Sequence, residues 1–223
     1  MLNLSKMPFK LSPSALNLMY ECPRCFWLNK HKKWIRPSTP FPQLPNGMDR
    51  VLKTHFDKFR DKGELPPEIK DHHHTKGLKL FDNVELLTLW RNNRKGIQWE
   101  DKEGNILSGA VDNILTKGKK LIVLDFKTKG SPLKDETEAG KGYQNQLDFY
   151  NFLLRKNGYE TEDYAFLLFY YPKEVVETGE VIFDSLLARR NVDIKNAEKI
   201  FDKAIKLLNE DCPKETCEWC EGR

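Results

Sequence analysis

Between residues 97 and 127 the chain alternates apolar-rich runs with turn residues. Ile97–Glu100 is followed by Glu103-Gly104-Asn105, residues 106–115 by Lys117-Gly118-Lys119, and then residues 121–127. Runs of this length, punctuated by glycine, predict three consecutive strands joined by hairpins. Leu121-Ile122-Val123-Leu124 has no polar interruption, as a strand buried on both faces requires. Near the start, Ser12-Pro13-Ser14 reads as an N-cap with proline at the first helical position. It predicts a helix through Leu16, Met19 and Tyr20 that Pro23 interrupts or redirects. Met48, Val51, Leu52, His55, Phe56 and Phe59 recur at helical spacing and predict a helix from about Asn46, with Asp49, Lys53, Asp57 and Lys58 on its other face.

Prolines at 37, 40, 42 and 45 predict an extended irregular segment over residues 35–45. Residues 63–71 read as a loop. Residues 78–90 leave an extended start and a helix both open. Residues 131–142 are polar and contain glycine, hence a flexible loop. Gln146, Leu147, Tyr150, Leu153 and Leu154 mark a helix ending at Asn157-Gly158. Residues 165–171 and 181–186 predict two more strands. Ile194, Ala197, Phe201, Ala204, Ile205 and Leu208 define a last amphipathic helix. This order predicts an α/β fold with a mixed central sheet flanked by helices.

With 223 residues and 39% hydrophobic content, the chain has material for one sizeable core. Residues 1–223 are therefore expected to form a single domain, with 1–45 and 209–223 as terminal additions. No stretch approaches the roughly 18 apolar residues of a membrane span. Residues 1–10 lack the apolar run and cleavage site of a secretory signal, so a cytoplasmic protein without a membrane partner is expected. Lys and Arg number 37 against 33 Asp and Glu, a net charge of +4 that permits a phosphate-backbone partner without demanding one. Lys30-His31-Lys32-Lys33 and residues 91–95 could supply a basic strip, although each run alone reads as a solvated face. His72-His73-His74 reads as a surface cluster.

Candidate chemistry concentrates at the strand ends. Asp125 and Lys127 are two apart in a strand and so share a face, and hairpin pairing brings Asp112 beside them. Close carboxylates repel unless they share a proton or a divalent cation, and oxygen ligands of this kind suit magnesium or manganese. A cross-strand ion pair between Asp112 and Lys127 is the competing structural explanation.

Gly109-Ala-Val-Asp112, followed by Ile122-Val-Leu-Asp125-Phe-Lys127-Thr128, resembles the motif pair of the PD-(D/E)XK nuclease superfamily. Residues 143–150, which contain Gln146 and Tyr150, resemble the Gln-xxx-Tyr helix motif of its RecB-like branch. Residues 11–16 leading to Tyr20-Glu-Cys-Pro23 are similar to the opening of the AddB-type and CRISPR-associated iron–sulfur exonucleases. The resemblance implies a restriction-endonuclease-like core and a Mg2+- or Mn2+-dependent DNA nuclease, an exonuclease that hydrolyses phosphodiester bonds in single-stranded DNA or at DNA ends. Asp112 and Asp125 would be metal ligands, Lys127 the catalytic lysine, and Gln146 and Tyr150 helix residues facing the site or the DNA. Helicase, CRISPR-adaptation or repair proteins would be its partners. The alternative is a DNA-binding or partner-docking module on the same fold with weak or no cleavage. One position departs from the pattern. The branch commonly carries a metal-binding histidine four residues after a helix glycine, but Val51 occupies that place after Gly47. His55, one turn on, is the candidate substitute, with Asp49 and Asp57 as lesser ones.

The five cysteines cluster at the two ends. Cys22-Pro-Arg-Cys25 and Cys217-Glu-Trp-Cys220 form two Cys-x-x-Cys pairs, and by spacing alone zinc is the default. The resemblance implies a [4Fe–4S] cluster instead. Cys212 is the alternate to Cys25 as fourth ligand. Either way, the expectation is a metal staple between the termini.

Overall fold

The structure, a computed structural model, describes residues 8–37, 43–136, 140 and 142–222. Its spine is a five-stranded sheet in the order β2 (Lys79–Leu80), β5 (Asn113–Lys117), β6 (Lys120–Thr128), β7 (Tyr164–Val175) and β8 (Val181–Asn191). Strands β6 and β7 run parallel and the other pairs antiparallel, so the sheet is mixed. A second sheet of three strands joins β1 (Lys10–Leu11), β4 (Ile106–Gly109) and β3 (Ile97–Glu100).

The uninterrupted apolar run lies at the centre, as expected. Leu121 and Val123 face one core cluster, while Ile122, Leu124 and Phe126 face another. The first cluster is covered by α1 (Pro13–Glu21), α2 (Pro23–Lys30), α6 (Gln144–Lys156) and α7 (Ile194–Asn209). The second is covered by α3 (Gln43–Lys62), through Leu52 and Phe56. By the two-residue period of a strand, Asp125 and Lys127 fall on the α6 side. The buried Asp148 carboxylate accepts from the Asp193 N–H at 2.9 Å and the Asn196 side-chain amide at 2.8 Å, and so ties the start of α7 to α6.

Ser12 caps α1, accepting from the Ala15 N–H, and Pro23 opens α2 directly after Cys22. The ambiguous stretch 78–90 holds both β2 and α5 (Val84–Trp90), and residues 63–71 include a one-turn helix, α4 (Pro67–Lys70). Three expectations are corrected. Helix α3 begins at Gln43, so Pro45 sits in its first turn, where the missing N–H has no intrahelical partner to lose. Pro40 and Pro42 lie outside the described residues, as do residues 1–7 and, within the expected 131–142 loop, 137–139 and 141. Residues 106–115 are not one strand: β4 and β5 belong to different sheets, and Ala110 to Asp112 carry the chain across. Gly109 ends β4 against the Tyr150 ring of α6, where a Cβ would stand 2.8 Å from Tyr150 Cε1. Finally, β7 and β8 run beyond their predicted ends into a long hairpin with a register shift at Pro172. No described helix is long and apolar enough to cross a membrane.

Candidate active site

The crossing between the sheets places Asp112. Its Oδ2 accepts from the Phe126 N–H at 2.9 Å, its carbonyl accepts from Arg91 Nε at 2.8 Å, and its Oδ1 lies 3.0 Å from Lys53 Nζ. Arg91 is itself paired with Asp57, which also meets Arg60. Asp112 is thus fixed from both sides although it belongs to no strand.

Asp125, on β6, is 1% exposed. Its Oδ2 pairs closely with the Lys127 ammonium and accepts no hydrogen bond from the remaining described residues. Burial, reinforced by the Asp112 charge and opposed by Lys127 and Lys53, pushes the Asp125 carboxyl up to about 7. Two acids so placed resist holding two negative charges without a further cation. Lys127 Nζ donates to Gln146 Oε1 at 3.0 Å, and Gln146 Nε2 donates to the Tyr150 hydroxyl at 2.7 Å. Tyr150 stays protonated, because burial and then the nearby Asp125 and Asp112 charges raise its pKa well above the ordinary value. The five residues expected from sequence therefore meet at one place, with α6 supplying the second layer.

His55 does not join them. At about 100° per residue it lies roughly 120° around α3 from Asp49. Its Nε2 is 3.0 Å from Glu68 Oε1, which also accepts from the Tyr170 hydroxyl at 2.6 Å. The α3 side chains at the site are Asp49 and Lys53, whose Nζ bridges Asp49 Oδ2 (2.8 Å) and Asp112 Oδ1 (3.0 Å). Burial, together with Asp112, raises the Asp49 carboxyl above its ordinary value against the pull of Lys53. Burial disfavours the charge on Lys53, but Asp112 and Asp49 outweigh it and leave its pKa raised. Sequence reasoning placed Lys53 on an outer face and read Arg91 only as part of a possible basic strip. The only signal for Lys53 was its i,i+4 spacing from Asp49, which exposed helix pairs share.

Asp49, Asp112 and Asp125 offer hard oxygen donors, and among the described residues one buried Asp125 oxygen has no partner other than an ammonium. That donor set fits magnesium or manganese. Two clefts flank these groups. One, of about 300 Å³, is bordered by Ser12, Ser14, Lys95, Gln146 and Tyr150. The other, of about 270 Å³, is bordered by Asp49, Phe126 and Lys127.

Away from this site, the sulfur atoms of Cys22, Cys25, Cys217 and Cys220 all lie within 4.8 Å of one another. They join the α1–α2 junction to the C-terminal tail, which is also held by Trp27 Nε1 donating to the Glu210 carbonyl at 3.0 Å. Cys212 is outside the group, where its sulfur accepts from Arg24 Nη1 at 3.3 Å.

No curated protein matches the chain. A solved structure described as "Crystal structure of SSO0001" is similar at 14% identity and a TM-score of 0.42, covering 96% of this chain and 83% of the other. A sequence model described as the PD-(D/E)XK nuclease superfamily matches residues 10–223, a span that contains the carboxylates, Lys127 and all five cysteines. The chain belongs to the PD-(D/E)XK nuclease superfamily.

Proposed function

We propose that the protein is a Mg2+- or Mn2+-dependent deoxyribonuclease of the RecB-like type that hydrolyses phosphodiester bonds in single-stranded DNA or at DNA ends. The observation that carries this reading is the convergence of Asp112, Asp125 and Lys127, with Lys127 held by the Gln146–Tyr150 chain. Asp112, Asp125 and Asp49 would hold the divalent ion. When bound, that ion supplies Lewis-acid polarisation of the phosphodiester and lowers the pKa of water.

The chain's own residues supply the rest. Lys127 is aimed by Gln146 and would serve the scissile phosphate as a donor where negative charge grows in the transition state. The Phe126 N–H and the Arg91 guanidinium hold Asp112 in place without reorganisation during the reaction. Neutral Tyr150 gives the far end of the Gln146 side chain a fixed partner. The polar cleft bordered by Ser12, Ser14 and Lys95 suits a strand whose backbone is contacted without reading its bases.

Labelled single- and double-stranded DNA incubated with the purified protein tests this. Cleavage that requires added magnesium or manganese and favours single strands or ends is expected. Binding without cleavage under every metal condition would favour the second reading, a DNA-binding or partner-docking module. That reading draws on His55, which pairs with Glu68 instead of the carboxylates.

A further inference from the structure

Four thiols can close on a single metal ion or on a cluster, and the two demand different spacings. A zinc ion with bonds of about 2.3 Å sets the edge of its thiolate tetrahedron at about 3.8 Å. A four-iron cubane interposes its own iron–iron edge and spreads its thiolates to about 6 Å. Here Cys25 and Cys217 sulfurs are 3.5 Å apart, Cys22 and Cys220 3.8 Å, and Cys217 and Cys220 3.8 Å. No pair in the group exceeds 4.8 Å. The arrangement matches the smaller tetrahedron and does not fit the cluster that the sequence resemblance implies.

Local hydrogen bonds hold one sulfur of each pair within its own turn. Within each Cys-x-x-Cys turn one cysteine's N–H donates to its partner's sulfur: Cys25 to Cys22 at 3.4 Å, and Cys217 to Cys220 at 3.3 Å. Cys25 and Cys220 are fully buried and Cys22 nearly so, while Cys217 is partly exposed. Arg36 closes the remaining side. Its Nη2 lies 3.7 Å from both Cys25 and Cys217 sulfurs, Nη1 reaches Glu21 at 2.6 Å, and the guanidinium sits 5.7 Å from the Trp219 ring centroid. One sulfur of each pair thus receives an arginine hydrogen bond.

We infer that Cys22, Cys25, Cys217 and Cys220 hold one tetrahedral zinc ion, and that Arg36 is its charge partner. Four thiolates around a dication carry a net charge of −2, and the guanidinium offsets part of it. The ion closes a loop of nearly the whole chain, so its binding energy is available to folding. This inference rests on the thiol geometry alone and is independent of the nuclease reading.

The test is elemental analysis of the full chain, purified anaerobically from cells grown with supplemented iron so that iron is not limiting. About one zinc per chain in colourless protein, with neither iron nor sulfide in stoichiometric amount, is expected. About four iron and four sulfide per chain, with a brown colour, would overturn the inference. So would protein that is folded and contains no metal. Cobalt exchanged into the site should give the intense visible bands of a tetrahedral thiolate complex, and their absence would count against it. Cys212→Ala should retain full zinc content, and loss of zinc there would reassign the ligands. For Arg36, the rate of zinc transfer to a chromophoric chelator should rise roughly tenfold in Arg36→Gln and recover in part in Arg36→Lys. An unchanged rate would remove Arg36 from the proposal.

Discussion

Asp125→Asn should stabilise the protein in buffer without added divalent cation while abolishing its metal site. In the wild type a carboxyl buried beside Asp112 has its pKa raised from 3.8 to about 7. The folded state therefore holds this proton more tightly than the unfolded chain. The stability it confers is fully present below about pH 4 and is lost as the pH rises through about 7. Ionising Asp125 costs the folded state up to ~4 kcal/mol over that window. Asparagine keeps the shape and removes the charge, so it escapes this penalty but leaves Lys127 without its partner. The stability difference between variant and wild type, read from urea unfolding, should widen in the variant's favour by about 2–3 kcal/mol between pH 5 and pH 8 and stay level above. Manganese should raise the wild-type midpoint and leave the variant's unchanged. A stability gap that is constant with pH, or that closes towards pH 8, would refute the reasoning.

Asp49→Asn should weaken manganese binding roughly tenfold or more, whereas His55→Ala should leave it unchanged and cost about 1 kcal/mol or less of stability, measured by calorimetry and unfolding. The opposite ranking would return His55 to the site. Affinity for single-stranded DNA should fall steeply on a logarithmic salt axis and vary little with sequence in filter or fluorescence binding, because the contacts proposed are to the backbone.

The parts of the fold legible in sequence are those fixed by local period. The run at 121–124, the α6 pattern and the closing amphipathic helix each specify one burial geometry, and each occurs where expected. Asp125 and Lys127 share a face for the same local reason. Asp112 was found through its motif, but its true setting, a crossing between two sheets, depends on how Gly109 meets Tyr150, a contact 41 positions away in sequence. The α3 face was harder to assign. Val51 has helical spacing with the apolar set yet is 60% exposed, and Asp49 and Lys53 turn inward because Asp112 is there to pair with them. Charges that look solvated in sequence are buried only when a distant partner exists, and spacing along one helix carries no sign of it. The start of α3 was obscured by Pro45, whose meaning reverses between a helix interior and a first turn. The cysteine pairs announced a shared centre through their spacing, but the separation of the sulfurs, which discriminates between an ion and a cluster, exists only in three dimensions.

The central claim is that the carboxylates bind the metal and Lys127 performs a separate task at the phosphate. The most direct test is Lys127→Ala, shown folded by circular dichroism and then assayed for both manganese binding and cleavage of labelled single-stranded DNA. All three carboxylates remain in this variant, so manganese should still bind with wild-type stoichiometry while cleavage falls by at least about a hundredfold. A folded Lys127→Ala protein that cleaves DNA at the wild-type rate would contradict the account.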